Sequence, residues 1–350
     1  MNVRFNTEYF SSVGAQILLL ICSSILMSYF FYQSVTSFNP LDQKSFVMQA
    51  TPQVIGQWGH EPMRIKTGFL IHEFIAFDTV GNNFLVNAVI SFEFDPKKIS
   101  LDTLGKFEFT KGDVLQKSDP VVKKLSDTLT FAQYYVRIQF SSMFDYARFP
   151  MDDHKLSLNF TNRAVAADLV LFDVAPANFV VPKYVHIDGW DIVSQVSASG
   201  YTEFVSLEGE SIQHPKILFS LGIKKIQSRK LLLIFIPLLI FFYLGMFQLA
   251  IRNYLADLNT MIAVLTAFMF MAIAVQAISP KVDYFMMIDY FMMLLLLVFF
   301  LMYIVMFLGT WLQQIWSQDA LAKLQGCAVV AIYIAFIFFS YYLIHVFKVG

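Results

Sequence analysis

An all-β extracellular sandwich followed by an α-helical transmembrane bundle of four helices is the fold class this sequence predicts, with an additional N-terminal signal or anchor helix. Three observations carry that prediction. Apolar residues make up 57% of the 350-residue chain, with 38 phenylalanines and only 15% charged residues, where soluble domains carry roughly a quarter. Nearly all the charge sits in residues 38–230, and there the apolar pattern has period two. Beyond it, four apolar runs succeed one another, each long enough to cross a bilayer. The division that results is 1–37, a signal peptide or anchor; 38–228, the β domain; and 229–350, the helical domain.

The net charge of −1 points away from nucleic acid. Cys22 and Cys327 both fall inside apolar runs, so no disulfide framework is expected for the β domain and its stability rests on its core. The chain has no Gly-rich phosphate loop, no metal-spaced His/Cys cluster and no nucleophile motif, so an enzyme, a cofactor and a metal site are not expected.

The first apolar run, Val13–Tyr32, comes after a short segment with Arg4 and Glu8. Val35, Thr36 and Ser37 offer a weak cleavage pattern for a signal peptide, but the run exceeds the usual signal core of about 7–15 residues, as an uncleaved anchor would. Either way it delivers the β domain to the far side of the membrane. In Phe84–Phe94 the set Phe84, Val86, Ala88, Ile90, Phe92, Phe94 alternates with Leu85, Asn87, Val89, Ser91 and Glu93, and Lys155–Phe160 alternates likewise. These read as half-buried strands, as do Lys66–Phe77, Thr130–Phe140, Asp168–Val174, Asp191–Ala198 and Lys216–Ile223. Turn clusters separate them at 80–83, 110–113 and 208–211. Many short strands with punctuating turns suggest a sandwich.

Leu231–Ile251 comes directly after the basic cluster Lys224, Lys225, Arg229, Lys230 and contains Pro237, which a membrane helix tolerates. Then come Asp257–Pro280, Tyr290–Leu312 and Gly326–Phe347, with Gln313–Gln325 as a polar loop between the last two. Trp311, Trp316, Tyr341 and Tyr342 suit the membrane interface. Arg252 and Lys323 fall on one side and the basic cluster on the other, so charge alone leaves the orientation open.

The run Asp257–Pro280 has two different faces. From Leu258 to Ser279 it carries no charge, and about 1.5 Å of rise per residue makes that stretch about 33 Å long. Asn259, Ala263, Thr266, Phe270, Ile273 and Ala277 form one stripe, and Leu258, Ile262, Leu265 and Met269 form the apolar stripe beside it. Small and polar residues on one face line a narrow aqueous path or pack a neighbouring helix through interhelical hydrogen bonds. Asp257 and Lys281 close the two ends.

Within Tyr134–Phe160, the sequence Phe149-Pro150-Met151-Asp152 with His154 two residues on resembles the Phe-Pro-Phe-Asp-x-Gln signature of pentameric ligand-gated ion channels, the Cys-loop receptor superfamily. Ser142 and Leu156 stand where animal receptors carry paired cysteines, which is similar to the prokaryotic branch. The resemblance extends over residues 60–347 in family order. Lys66–Phe69 through Phe77, Asp78 and Asn83 look like the first strand and its loop, and Gly189–Ile192 like the strand after the long external loop. Arg229 and Pro237 resemble the pre-membrane arginine and first-helix proline, while Pro280, Lys281, Tyr284 and Asp289 resemble the connection between the second and third helices. The sequence departs from the family pattern at Val13–Tyr32, which such a channel does not need beyond membrane targeting; if uncleaved, it adds a fifth helix per subunit.

This resemblance implies a homopentamer in the cell membrane, multi-pass in each subunit, with the sandwich extracellular or periplasmic and the second channel helix lining a pore. In family register the pore-lining residues are Asp257, Asn259, Ala263, Thr266, Phe270, Ile273 and Ala277. Rings of Asp257 and Asn259 would select monovalent cations. Phe270 and Ile273 would gate by dewetting, or turn sideways to pack. Coupling to the β domain is expected at Asp78, Phe149, Pro150, Asp152, Arg229, Pro280, Lys281, Asp283 and Tyr284, with Asp152 and Arg229 as a charge pair.

The stretches corresponding to the family's agonist loops are 109–113, 161–167 and 206–213. They lack the tyrosines of an amine cage; Arg163, Glu208 and Glu210 are the candidate ligand-binding residues, or solvated loop charges. His154 stands where the family has glutamine, so the stimulus is an unidentified small molecule or protons unless that histidine is structural. Partners other than copies of the chain, the agonist and the permeant cations are membrane lipids. The competing expectation is a membrane-tethered β domain that senses or adheres without conducting.

Overall fold

The computed structural model describes residues 13–42, 46–79, 81–205, 209, 211–226, 228–250, 258–312 and 314–349. The chain divides into two compact units. One comprises the described residues of Pro40–Asp145 and Asp153–Ile226; the other those of Met1–Asn39, Tyr146–Asp152 and Gln227–Gly350.

The first unit is a single large sheet. Its long strands are β1 (Met63–Asp78), β2 (Asn83–Phe94), β6 (Thr130–Ser141), β7 (Asp153–Asn162), β10 (Trp190–Val205) and β11 (Ser211–Lys225). Shorter ones are β3 (Phe107–Thr110), β4 (Gly112–Lys117), β5 (Val121–Lys124), β8 (Val170–Asp173) and β9 (Phe179–Val180), with short helices α2 (Pro52–Trp58) and α3 (Leu101–Gly105) between strands or before them. The order runs β10, β11, β7, β3, β4, β6, β2, β1, β8. β8 pairs in parallel with β1 and comes back alongside β10 and β11, so the sheet is a nearly closed sandwich.

Alternation explains the core. Phe84, Val86, Ala88, Ile90, Phe92 and Phe94 of β2 are all buried, as are Leu156, Leu158 and Phe160 of β7 and Ile217, Phe219, Leu221 and Ile223 of β11. Their rings interlock, with Phe69 stacked on Phe219 at 4.9 Å and Phe84 on Phe140 at 5.1 Å. Each fully buried phenylalanine contributes about 1.5–3 kcal/mol, which lets the unit stand without a disulfide; both cysteines are free.

Strands β10 and β11 run further than the sequence patterning, pairing from Trp190 with Lys225 to Val205 with Ser211. Their outer halves are rich in Ser, Gln, Thr and Glu, so period two is weak there while the backbone ladder continues. Two of the turn clusters carry backbone that side chains rarely adopt, Asn82 at φ 54° and Lys111 at φ 61°.

The second unit holds α1 (Val13–Thr36), α4 (Ser228–Ala250), α5 (Leu258–Ile278), α6 (Met287–Leu312) and α7 (Gln318–Val349). Three stretches are long and apolar enough to cross a membrane: Ile17–Ser34, Met287–Leu312 and Ala320–Phe347. Shorter apolar stretches, Leu233–Leu249 and Ile262–Ile278, lie in α4 and α5. Together they mark a membrane protein. α7 begins at Gln318, inside the stretch 313–325 that polarity suggests as a loop. Ser317 caps it, its Oγ accepting from Ala320 N at 3.4 Å, and Ala320–Leu324 is made of good helix formers.

Helix α1 packs within this unit against α4 and α7. Phe31 lies 4.2 Å from Phe235, and the Ser23 and Ser24 hydroxyls meet the Tyr243 hydroxyl at 3.0 and 2.9 Å. Phe242 stacks on Phe336 at 3.9 Å, joining α4 to α7.

Candidate functional site

The stretch with the Phe-Pro signature belongs to the helical unit, although it is bracketed in sequence by strands β6 and β7. Residues Tyr146–Asp152 turn twice, Phe149 N donating to Tyr146 O and Met151 N to Arg148 O, each at 2.8 Å. Phe149, Pro150, Met151 and Asp152 are buried, and the Phe149–Pro150 peptide is cis. The loop is fastened to the α5–α6 connection at two points. Tyr146 N donates to the Tyr284 hydroxyl at 2.8 Å, and Met287 N, in the first turn of α6, donates to Ala147 O at 2.7 Å. Asp289 caps the same helix start by accepting from Met286 N at 2.8 Å.

Of the expected coupling residues, Phe149, Pro150 and Asp152 fall in the same unit as Tyr284, whose hydroxyl accepts from Tyr146 N at the start of their loop. Pro280 lies in the same connection, with Lys281 and Asp283 exposed. Asp78, in the β unit, closes its own turn by accepting from Gly81 N at 3.0 Å. Arg229 falls in the first turn of α4; its side chain, and with it the pair with Asp152, lies outside the described residues.

Helix α5 buries one narrow face, Phe268, Met271 and Val275, with Phe268 edge-on to Phe299 of α6 at 6.4 Å. Ala263, Thr266, Phe270, Ile273 and Ala277 all face away from the other helices of the chain, Phe270 being 69% and Ile273 59% exposed. Thr266 satisfies its hydroxyl on Ile262 O at 2.7 Å, so it needs no partner in another helix. Ile262 and Met269 are exposed as well, so the uncovered arc is wider than that one stripe. Asp257 lies outside the described residues, as does the Asn259 side chain.

In the β unit, Arg163 is not a free loop charge. Its guanidinium lies 4.4 Å from the Phe204 ring and pairs with Glu108. Glu208 and Glu210 lie outside the described residues. Lys117, whose pKa burial pushes down, stands over the Phe107 ring at 4.4 Å and the Tyr134 ring at 4.6 Å.

His154 is fully buried, 0% exposed, between the rings of Phe144 at 4.8 Å and Trp190 at 5.2 Å. Its Nδ1 lies 3.1 Å from Oδ1 of Asp42, which also accepts from Asp145 N at 2.9 Å, while Asp42 Oδ2 accepts from Lys155 N at 2.6 Å. Sequence reasoning missed Asp42, which sits in a stretch without periodicity, and Tyr284's link to Tyr146, which sequence spacing does not reveal.

No known family profile and no curated protein matches the chain.

Proposed function

We propose that the chain is one subunit of a homopentameric, cation-conducting channel in the cell membrane, opened by an extracellular small molecule or by protons acting on the β domain. The observation that carries this reading is the stripe of α5. Residues at 263, 266, 270, 273 and 277 are left uncovered by the chain's own helices, and among them are two alanines and a threonine, small residues of the kind through which membrane helices approach one another closely. Five such helices around an axis would enclose them, with Phe270 and Ile273 as the hydrophobic constriction and Asp257 and Asn259 as the inner rings that favour monovalent cations.

The fastening of 146–152 to the α5–α6 connection supports a coupling route. A stimulus that prefers one arrangement of the β domain would reach α5 through this loop and Tyr284. Arg163 is engaged with Glu108 and Phe204, so any role in ligand binding would begin by disturbing that pair.

Native mass measurement of the detergent-extracted protein tests the assembly. Five subunits are expected. A stable monomer would favour the alternative, a membrane-tethered β domain that senses or adheres.

A further inference from the structure

Asp42 and residues 46–58 precede the first long strand of the β unit and are fastened to that unit at successive points. Asp42 is held by the backbone N–H groups of Asp145 and Lys155 and by the His154 imidazole. Phe46 O accepts from Lys216 Nζ of β11 at 2.8 Å. Met48 forms an antiparallel bridge with Tyr201 of β10, Met48 N donating to Tyr201 O at 3.0 Å and Tyr201 N to Met48 O at 2.9 Å.

The approach depends on Gly200, where an added Cβ would lie 2.0 Å from Met48 O. Thr51 then caps α2, which ends at Gly59 in the left-handed conformation, φ 77°. Trp58, the last residue of α2, stands edge-on to Tyr201 at 5.7 Å and donates from Nε1 to Gln213 Oε1 at 3.0 Å. Gln213 also donates to Glu203 Oε1 at 2.7 Å, and its carbonyl accepts from Ala167 N at 2.8 Å. Met48, Ala50, Val54 and Trp58 pack on Ala167, Leu171 and Tyr201. One residue, Gln213, thus joins the hairpin, the 161–167 loop and the segment that crosses them.

We propose that residues 46–58 are a strap that clamps the β10–β11 hairpin against the 161–167 loop, so that the hairpin opens only when Trp58 and Met48 let go. The strap's regulatory meaning rests on the channel reading, because those two elements correspond to agonist loops; the clamp itself does not. In that reading the strap is a built-in restraint, and loosening it lowers the stimulus needed to open the pore.

Hydrogen–deuterium exchange of the full chain in detergent tests it, with current from reconstituted protein recorded alongside. Trp58→Ala and Gly200→Ala are expected to speed exchange of the amides at 201–213 by about tenfold or more while leaving 83–94 and 130–141 as they are. Trp58→Phe keeps a ring against Tyr201 but loses the bond to Gln213, and is expected to give a smaller rise confined to the same amides. It keeps the test decisive if the alanine variants unfold. Unchanged hairpin exchange in the folded variants overturns the clamp, whatever the currents do. Faster hairpin exchange with no current from any form of a protein that is also monomeric leaves the clamp standing and removes the channel.

Discussion

Replacing Asp42 by asparagine keeps the side chain's shape and removes its ability to accept from every donor around it. Three donors converge on the carboxylate, Lys155 N at 2.6 Å, Asp145 N at 2.9 Å and His154 Nδ1 at 3.1 Å, in a place where His154 is wholly shielded from water. Asparagine offers one oxygen and an NH₂ that must face one of those N–H groups. A buried donor left without a partner costs about 1–3 kcal/mol, and with one or two orphaned the variant should lose about 2–4 kcal/mol. Asp42→Ala, which orphans all three, should lose about 3–5 kcal/mol. Because Asp42 and His154 share the interaction, Asp42→Asn combined with His154→Ala should cost less than the sum by about 1–2 kcal/mol. Denaturant unfolding of the purified protein, monitored by the β-sheet circular dichroism signal, reads all of these. An asparagine variant within about 1 kcal/mol of wild type would refute the reasoning, since no typical buried acceptor is lost so cheaply.

Three further outcomes are expected. Tyr284→Phe removes the oxygen that accepts from Tyr146 N, and should cost about 1 kcal/mol while shifting the stimulus needed for half-maximal current; an unshifted response would take Tyr284 out of the coupling route. In the channel reading, Phe270→Ala should raise resting leak through the reconstituted protein, because a ring of alanines no longer excludes water, and an unchanged leak would remove Phe270 from that reading's gate. Burial lowers the pKa of Lys216. A lysine whose folded value lies below its unfolded value sheds its proton first in the fold, so stability rises with pH between the two; Lys216→Met should flatten part of that alkaline rise, and a limb identical to wild type would contradict it.

How far the fold could be read from residues tracked the strength of each local pattern. Strands β2 and β7 are legible because one face of the stretches 84–94 and 155–160 is aromatic or aliphatic without interruption, and the inward set read from the sequence is buried, joined by Val89 and Asn159 from the opposite face. The outer halves of β10 and β11 are not legible, since Ser199, Gly200, Thr202 and Glu203 on one strand and Ser211, Gln213 and His214 on the other continue the backbone ladder without an apolar alternation. α7 starts early for a related reason: Gln318, Asp319 and Lys323 give its first turns a polar look, but Ala320, Leu321, Ala322 and Leu324 among them are good helix formers, and Ser317 caps the start. At the candidate site, the stripe at 263–277 is visible from spacing because helical period is a local property. Asp42 and Trp58 are invisible to it, because what they do is set by partners 103 to 155 residues away in sequence. Arg163 shows the same gap: a loop arginine reads as solvated until Phe204 and Glu108 are found beside it.

The reversal potential of purified protein in planar bilayers under a salt gradient, with Asp257→Ala alongside and the pH varied, bears on the pore itself. The channel reading predicts current that reverses near the cation equilibrium potential and loses that selectivity in the variant. Silence at every pH, from protein that is monomeric in the same detergent, would contradict it.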